Sequence, residues 1–257
     1  MYLVDSHCHL DFEAFDPDRE TVLANAASEG VGTIVVPGVR RDTWERLVGV
    51  CAGHPGLHYA LGLHPLFVDV HRPEHLSDLS NQIASLSPVA VGEIGLDYYD
   101  KHADRDTQRR LFEGQLDIAR QHGLPAILHV RKAHDEVLEL LRCHGIRGGI
   151  AHAFNGSLQQ AHKYVEMGFK LGFGGTLTFE RSRKLRELAK HLPLDALVLE
   201  TDAPDMTVAQ HRGERNSPEY IPYVLEAMAS VRSENLEQIA AATTRNAATV
   251  LGLTIHE

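Results

Sequence analysis

Residues 125–151 read PAILHVRKAHDEVLELLRCHGIRGGIA. The apolar run at 125–128 predicts a buried strand, and the segment 133–144 has the three- and four-residue spacing of apolar positions that is typical of a helix. A second apolar run, at 149–151, predicts another strand. A strand, a helix and a strand in this order indicate a parallel sheet that is covered by helices.

The same alternation extends along the chain in both directions. Further strands are predicted at residues 3–5, 32–36, 58–62, 89–92, 170–173 and 196–199. Further helices are predicted at about 17–29, 42–53, 74–86, 106–122, 157–167, 180–191, 218–231 and 234–250. Eight strands in 257 residues are the number needed for an α/β fold of the (β/α)8 TIM barrel type, although a doubly wound open sheet has the same local pattern. Since no Pro-, Ser- or Gly-rich linker divides the chain, we expect residues 1–257 to form a single domain.

The composition excludes several classes of protein. The 25 basic and 35 acidic side chains give a formal net charge of -10, which argues against a broad basic surface that binds nucleic acid nonspecifically. The 3 cysteines are far apart, so neither a disulfide framework nor a thiolate zinc site is indicated. We expect no secretory leader and no membrane span, and therefore a cytoplasmic protein.

Polar side chains stand where the predicted strands end. They are His7 and His9 after the first strand, His64 after the third, Glu93 after the fourth, His129 and Arg131 after the fifth, His152 after the sixth and Asp202 after the eighth. In a barrel the carboxyl ends of all strands meet at one rim, so these side chains should converge there. Because side chains alternate along an extended chain, His7 and His9 are expected to share a face.

Six of these residues form a set that suits divalent metal ions. The set is His7, His9, Glu93, His129, His152 and Asp202. One ion with three or four protein ligands would leave the others without a role, so two ions are the preferred interpretation. We assign His7, His9 and Asp202 to one ion and His129 and His152 to the other, and we expect Glu93 to bridge the two. The imidazole-rich set suits Zn, Mn or Fe, while its carboxylate oxygens also admit Mg.

Several motifs, taken in order, resemble one family of enzymes. They are Asp5-Ser6-His7-Cys8-His9-Leu10, Gly62-Leu63-His64-Pro65, Val91-Gly92-Glu93-Ile94-Gly95-Leu96-Asp97-Tyr98, Leu128-His129-Val130-Arg131, His152-Ala153-Phe154-Asn155-Gly156, Glu200-Thr201-Asp202-Ala203-Pro204, the helix face Gln108, Phe112 and Gln115, Arg215-Asn216-Ser217-Pro218, and Thr244 with Asn246. Together they resemble the TatD family of metal-dependent hydrolases and deoxyribonucleases, within the amidohydrolase superfamily. The resemblance runs nearly from end to end.

The resemblance implies a (β/α)8 barrel, two divalent ions and, for many members, cleavage of phosphodiester bonds in DNA. Asp205 departs from the commoner family form, which has an aromatic residue at this position. An aspartate at this position is closer to the pattern of the YjjV-like branch, and so is His134 before Asp135. That branch is less firmly tied to nuclease activity. The departure therefore weakens the prediction of the substrate, but it does not change the prediction of the metal site.

The resemblance also implies roles for single residues. Asp202 would act as general base and then as proton donor, with a water shared by the two ions as the nucleophile. His64 would hydrogen-bond the developing oxyanion or the leaving group, although a buried core role stays open for it. Arg131 would pair with a phosphate. Glu200 and Asp5 stay open between orienting an imidazole and a structural role.

Three functions remain open at this point. The first is a two-metal phosphodiesterase that acts on DNA or RNA ends. The second is an amide or ester hydrolase of a small metabolite or aminoacyl group that uses the same site, and the third is a non-catalytic protein that binds through its metal. The basic runs 181–184 and 211–215 are either solvated surfaces or guides for a nucleic-acid strand. We expect a monomer that needs no protein partner.

Overall fold

The computed structural model describes residues 1–255 and contains one parallel sheet of eight strands in chain order. The strands are β1 (Leu3–Asp5), β2 (Val31–Pro37), β3 (Leu57–Leu61), β4 (Ala90–Asp97), β5 (Ala126–Arg131), β6 (Gly149–Ala151), β7 (Phe169–Phe173) and β8 (Leu197–Leu199). The last strand returns to the first, because Ser6 N–H donates to the Leu199 carbonyl at 3.0 Å just beyond β1. The predicted (β/α)8 barrel is therefore confirmed.

Helices cover the outside of this barrel. They are α1 (Arg19–Ser28), α2 (Trp44–Ala52), α3 (Glu74–Leu86), α4 (Arg105–His122), α5 (His134–Cys143), α6 (Leu158–Glu166), α7 (Arg183–His191), α8 (Ile221–Ala229) and α9 (Leu236–Leu251). Across residues 1–255, none of them combines the length and the apolar character that a membrane crossing requires.

The helix α9 ties the two ends of the barrel together. Asn246 donates to the carbonyls of Leu194 and Leu197 at 2.9 and 2.8 Å, where β8 begins. Thr244 donates to the Tyr2 carbonyl at 3.0 Å, next to β1. These two polar residues of the family resemblance therefore close the seam between the first and last strands.

The interior of the barrel is filled by one small or branched side chain from most of the strands. These are Val4, Val35, Ala60, Ala90, Ile127, Ile150 and Val198, all buried. Alternation along each strand places the residue two positions later on the same side, so Ile127 and Ile150 lead to His129 and His152. In β5 and β6, therefore, the alternation that packs the interior also directs the site residues into the mouth of the barrel, whereas His7 and Glu93 follow the interior residues Val4 and Ala90 by three positions.

The sequence placed the end of the fourth strand incorrectly. It predicted an end at Gly92, whereas β4 continues to Asp97. The register of β4 against β5 shifts between Val91 and Ile94. From the sequence alone, the glycine in this stretch predicts a strand end, because glycine often interrupts a strand pattern. As a result Glu93 lies within the strand and not after it.

We predict that Gly149 is essential to the packing of β5 against β6. Its φ is +147°, and a Cβ there would lie 2.1 Å from the Ala126 carbonyl oxygen. Gly149→Ala should lower the free energy of unfolding by at least about 2 kcal/mol, as measured by urea denaturation followed by circular dichroism. The matched control is Gly49→Ala in α2, where a Cβ meets open space and a gain of up to about 1 kcal/mol is expected. Equal unfolding midpoints for the two variants would contradict this account.

Candidate metal centre

Four of the predicted ligands converge at the carboxyl-terminal rim of the barrel. His7 Nε2 lies 3.4 Å from His9 Nε2 and 3.1 Å from Glu93 Oε2. His9 Nε2 lies 3.6 Å from the same Glu93 oxygen and 3.5 Å from Asp202 Oδ1. Asp202 Oδ1 is in turn 3.7 Å from His7 Nε2. We call His7, His9, Glu93 and Asp202 the first donor group.

The other oxygen of Glu93 faces a second set of imidazoles. His64 Nε2 lies 3.2 Å and His129 Nδ1 lies 3.0 Å from Glu93 Oε1. His152 Nε2 is 3.9 Å from this oxygen and 3.7 Å from Asp202 Oδ2, so it stands between the two sets. We call Glu93, His129 and His152 the second donor group. The structure thus brings together all six predicted ligands and places His64 beside them.

The spacing of these atoms fits metal coordination. In a tetrahedral site with bonds of about 2.1 Å, neighbouring donor atoms are roughly 3.4 Å apart. Five of the six pairs of residues in the first donor group have donor atoms 3.1 to 3.7 Å apart. Unprotonated imidazole nitrogens and carboxylate oxygens are all electron-pair donors, so a cation between them satisfies groups that would otherwise only face one another. The residues present therefore fit a divalent ion in each donor group.

The electrostatics of the site keep its carboxylates ionised but favour a protonated His152. Burial alone would raise the pKa of Glu93, but the imidazoles of His64 and His7 outweigh this and hold the pKa well below its usual range. Burial also opposes ionisation of Asp202, yet His152 and His9 lower its pKa to about 2. Burial lowers the pKa of His64 to about 4. Both carboxylates are therefore ionised and His64 is neutral at neutral pH. Burial opposes protonation of His152, yet Glu200 and Asp202 raise its pKa to about 10, so this imidazole must lose a proton before it can bind a cation.

Asp97 is a candidate functional residue that the sequence did not reveal. Its Oδ2 lies 2.9 Å from His129 Nε2, which leaves His129 Nδ1 directed at Glu93. Its Oδ1 accepts a hydrogen bond from Tyr99 N–H at 2.9 Å, so the carboxylate is itself fixed. Such a partner sets the tautomer and the ring orientation of an imidazole ligand. The sequence signal that could have identified Asp97 is the alternation of side chains along β4, since Asp97 lies four residues after Glu93 and so on the same face.

Glu200 and Asp5 have different roles in the structure. Glu200 Oε1 lies 3.1 Å from His152 Nδ1, so it orients this imidazole. Asp5 instead accepts hydrogen bonds from the backbone N–H groups of His7 and Thr201, at 3.2 and 3.0 Å. Asp5 thus fixes the chain segments that carry the ligands and leaves the imidazole rings to other partners.

Two buried amides fix the loops at the rim. Gln115 accepts from Leu63 N–H at 2.7 Å and donates to the Leu63 carbonyl at 3.1 Å, immediately before His64. Asn216 donates to the carbonyls of Thr201 and Asp205 at 2.8 and 2.7 Å. Both belong to the family resemblance, and both act on the backbone beside the donor groups.

The donor groups form the floor of a cavity of about 790 Å³. Arg131 lines its wall, with its guanidinium carbon 3.6 Å from the centre of the Tyr99 ring. The basic run 181–184 also lines the cavity. Arg215, from the other basic run, is bound to Asp18 at 2.7 Å, so its charge is already compensated.

His134 lies outside both donor groups. Its side chain is buried, with Nδ1 3.3 Å from the Tyr164 hydroxyl and Nε2 3.2 Å from Asn155 Oδ1. It therefore supports the loop after β6, which carries His152.

Comparisons with known proteins identify the family to which the chain is similar. Residues 4–252 match the family model described as TatD related DNase. The chain is 39% identical to the uncharacterized metal-dependent hydrolase YjjV of Escherichia coli, over 97% of this chain and 98% of that protein. It is 38% identical to the uncharacterized metal-dependent hydrolase YabD of Bacillus subtilis, over 95% of this chain and 97% of that protein. The crystal structure of Escherichia coli YjjV, a TatD homologue, superposes with a TM-score of 0.95, at 38% identity and 98% coverage of both chains.

We predict that Asp97→Asn weakens metal binding at the second donor group. The substitution removes the charge that holds His129, so the affinity for one metal ion should fall by about tenfold, as measured by competition with a chelator of known affinity. The control is Asp100→Asn, an exposed residue of the loop that follows β4, which should leave the affinity unchanged. Equal metal affinities for wild type and Asp97→Asn would show that Asp97 does not position a ligand.

Proposed function

This chain belongs to the TatD family of metal-dependent hydrolases, and we propose that it uses two divalent ions to cleave phosphodiester bonds at the ends of DNA or RNA strands. The observation that carries the proposal is the position of Glu93. Its two oxygens face different donor groups, so one buried carboxylate can serve both ions. A pair of neighbouring ions is the arrangement that many phosphatases and nucleases use for displacement at phosphorus.

We assign the residue that accepts a proton from the reacting water by comparing the exposed fractions of the two carboxylate side chains. When bound, divalent ions supply a water of lowered pKa and stabilise negative charge on the scissile group. The side chain of Asp202 is 16% exposed, whereas that of Glu93 is 2% exposed. Asp202 is therefore the carboxylate that a reacting water can reach, and we assign it as general base and then as proton donor to the leaving group.

The roles of Arg131 and His64 differ. Arg131 lies on the cavity wall above Tyr99, where its guanidinium can bind a phosphate oxygen. Both ring nitrogens of His64 have protein partners, since Nδ1 accepts from Leu66 N–H at 3.1 Å and Nε2 faces Glu93. Because Nδ1 accepts a hydrogen bond, the ring proton of neutral His64 is on Nε2, which can donate to Glu93 or to an oxygen of the substrate. We therefore keep His64 as the expected hydrogen-bond donor to the substrate.

The proposed activity is tested with protein of verified metal content and several metals, on single-stranded oligonucleotides and on a panel of esters and amides. Release of mononucleotides that stops when a chelator is added supports the proposal. Hydrolysis of esters or amides without any cleavage of oligonucleotides would replace it with the second function that the sequence leaves open.

We predict that Asp202→Asn lowers kcat by at least about 100-fold, because the variant cannot accept a proton from the reacting water. At least one metal ion should remain bound, as measured by elemental analysis, since three ligands of the first donor group are intact. The matched control is Asp195→Asn, an exposed residue before the start of β8, which should retain wild-type kcat. A wild-type kcat for Asp202→Asn would eliminate Asp202 as the base.

A further inference from the structure

One wall of the cavity is built from consecutive residues between β7 and the first turn of α7. Residues 181–185 all line the cavity, and three of them are the cations Arg181, Arg183 and Lys184. The sequence alone cannot separate a solvated charged surface from a substrate guide at this position. In the structure, this segment lines the same cavity as the donor groups.

Among the described residues, no direct ion pair compensates the cations of this wall. Within residues 1–255, no carboxylate oxygen lies within 4.0 Å of the charged groups of Arg131, Arg181, Arg183 or Lys184. The carboxylates on the cavity floor, such as Glu93, already face imidazoles. A chain with a net charge of -10 thus presents four cations in the wall of one cavity. The lining also contains the carboxylates of Glu93, Glu200, Asp202 and Asp205, so the cavity as a whole would be positive with divalent ions bound, and this wall would be its most positive part.

Lys184 and Arg181 are held in place by neighbouring groups. Lys184 Nζ donates to the Asn155 carbonyl at 2.7 Å, which fixes the ammonium on the loop that follows His152. The Arg181 guanidinium carbon lies 5.3 Å from the centre of the Phe179 ring. The positive charge therefore stands beside the second donor group.

The other half of the cavity is apolar. Its lining after β1, β2 and β3 consists mainly of Phe12, Val39, Leu66 and Phe67. In a closed barrel of eight strands in chain order, β3 and β7 are four strands apart and lie on opposite sides. The cavity thus offers an apolar side and, across from it, a cationic side.

We propose that Arg181, Arg183 and Lys184 form a subsite for a second phosphate of the substrate, next to the phosphodiester that is cleaved. The inference rests on the proposed function and narrows its substrate class to chains that carry more than one phosphate. An isolated phosphodiester has one negative charge, for which Arg131 and the metal ions suffice. The apolar side would then contact the base or sugar.

The test compares two substrates of the metal-loaded protein: bis(p-nitrophenyl) phosphate, which has one phosphate, and a 5′-phosphorylated thymidine dinucleotide, which has two. The variant carries Arg181→Gln, Arg183→Gln and Lys184→Gln together. Its kcat/KM for the dinucleotide should fall by at least about tenfold, while that for bis(p-nitrophenyl) phosphate stays within about twofold of wild type. The control is Lys190→Gln on the same helix, which should alter neither value.

A binding measurement separates the subsite from the activity. Calorimetry uses a 5′-phosphorylated dinucleotide with a methylenephosphonate linkage that cannot be hydrolysed. Wild type should bind it at least about tenfold more tightly than the triple variant, and removal of the 5′-phosphate should abolish this difference. Equal affinities, or an equal loss of kcat/KM for both substrates, would overturn the subsite. If wild type cleaves neither substrate, the proposed function fails, and the binding measurement still decides the subsite.

Discussion

A single buried carboxylate, that of Glu93, organises the site. Its two oxygens lie 3.0 to 3.2 Å from imidazoles of different strand ends, His7 on one side and His64 and His129 on the other. A buried anion is costly unless it is compensated, and here imidazoles surround it. The same contacts leave donor atoms at the spacing that divalent ions require. The chemistry at the rim therefore depends on this one side chain being ionised and enclosed.

The barrel supplies the geometry that makes this possible. Strands in chain order bring their carboxyl ends to one rim, so ligands that are far apart in sequence become neighbours in space. Interior packing and ligand direction share one alternation in β5 and β6, because Ile127 and Ile150 precede His129 and His152 by two residues. Polar side chains around the rim, such as Gln115, form hydrogen bonds with the backbone beside the site residues. The same strands and buried side chains therefore contribute both to the stability of the barrel and to the geometry of the site.

The sequence predicts the barrel and the six ligands because strand pattern and ligand chemistry are local properties. It does not predict where β4 ends, since Gly92 interrupts the apolar pattern while pairing with β5 carries the strand on to Asp97. Asp97 as the partner of His129 is missed for the same reason. The surroundings of His64 depend on contacts that no local pattern contains, namely Glu93 from another strand and the N–H of Leu66.

The most direct test of the account is the metal content of Glu93→Gln relative to wild type, measured by elemental analysis after equilibration with one metal. If Glu93 joins the two donor groups, wild type binds two ions per chain and the variant loses at least one of them, since the amide provides one neutral oxygen where the carboxylate provides two charged ones. An unchanged content of two ions in Glu93→Gln, with the fold intact by circular dichroism, would contradict the account. So would a wild-type protein that binds a single ion at saturation.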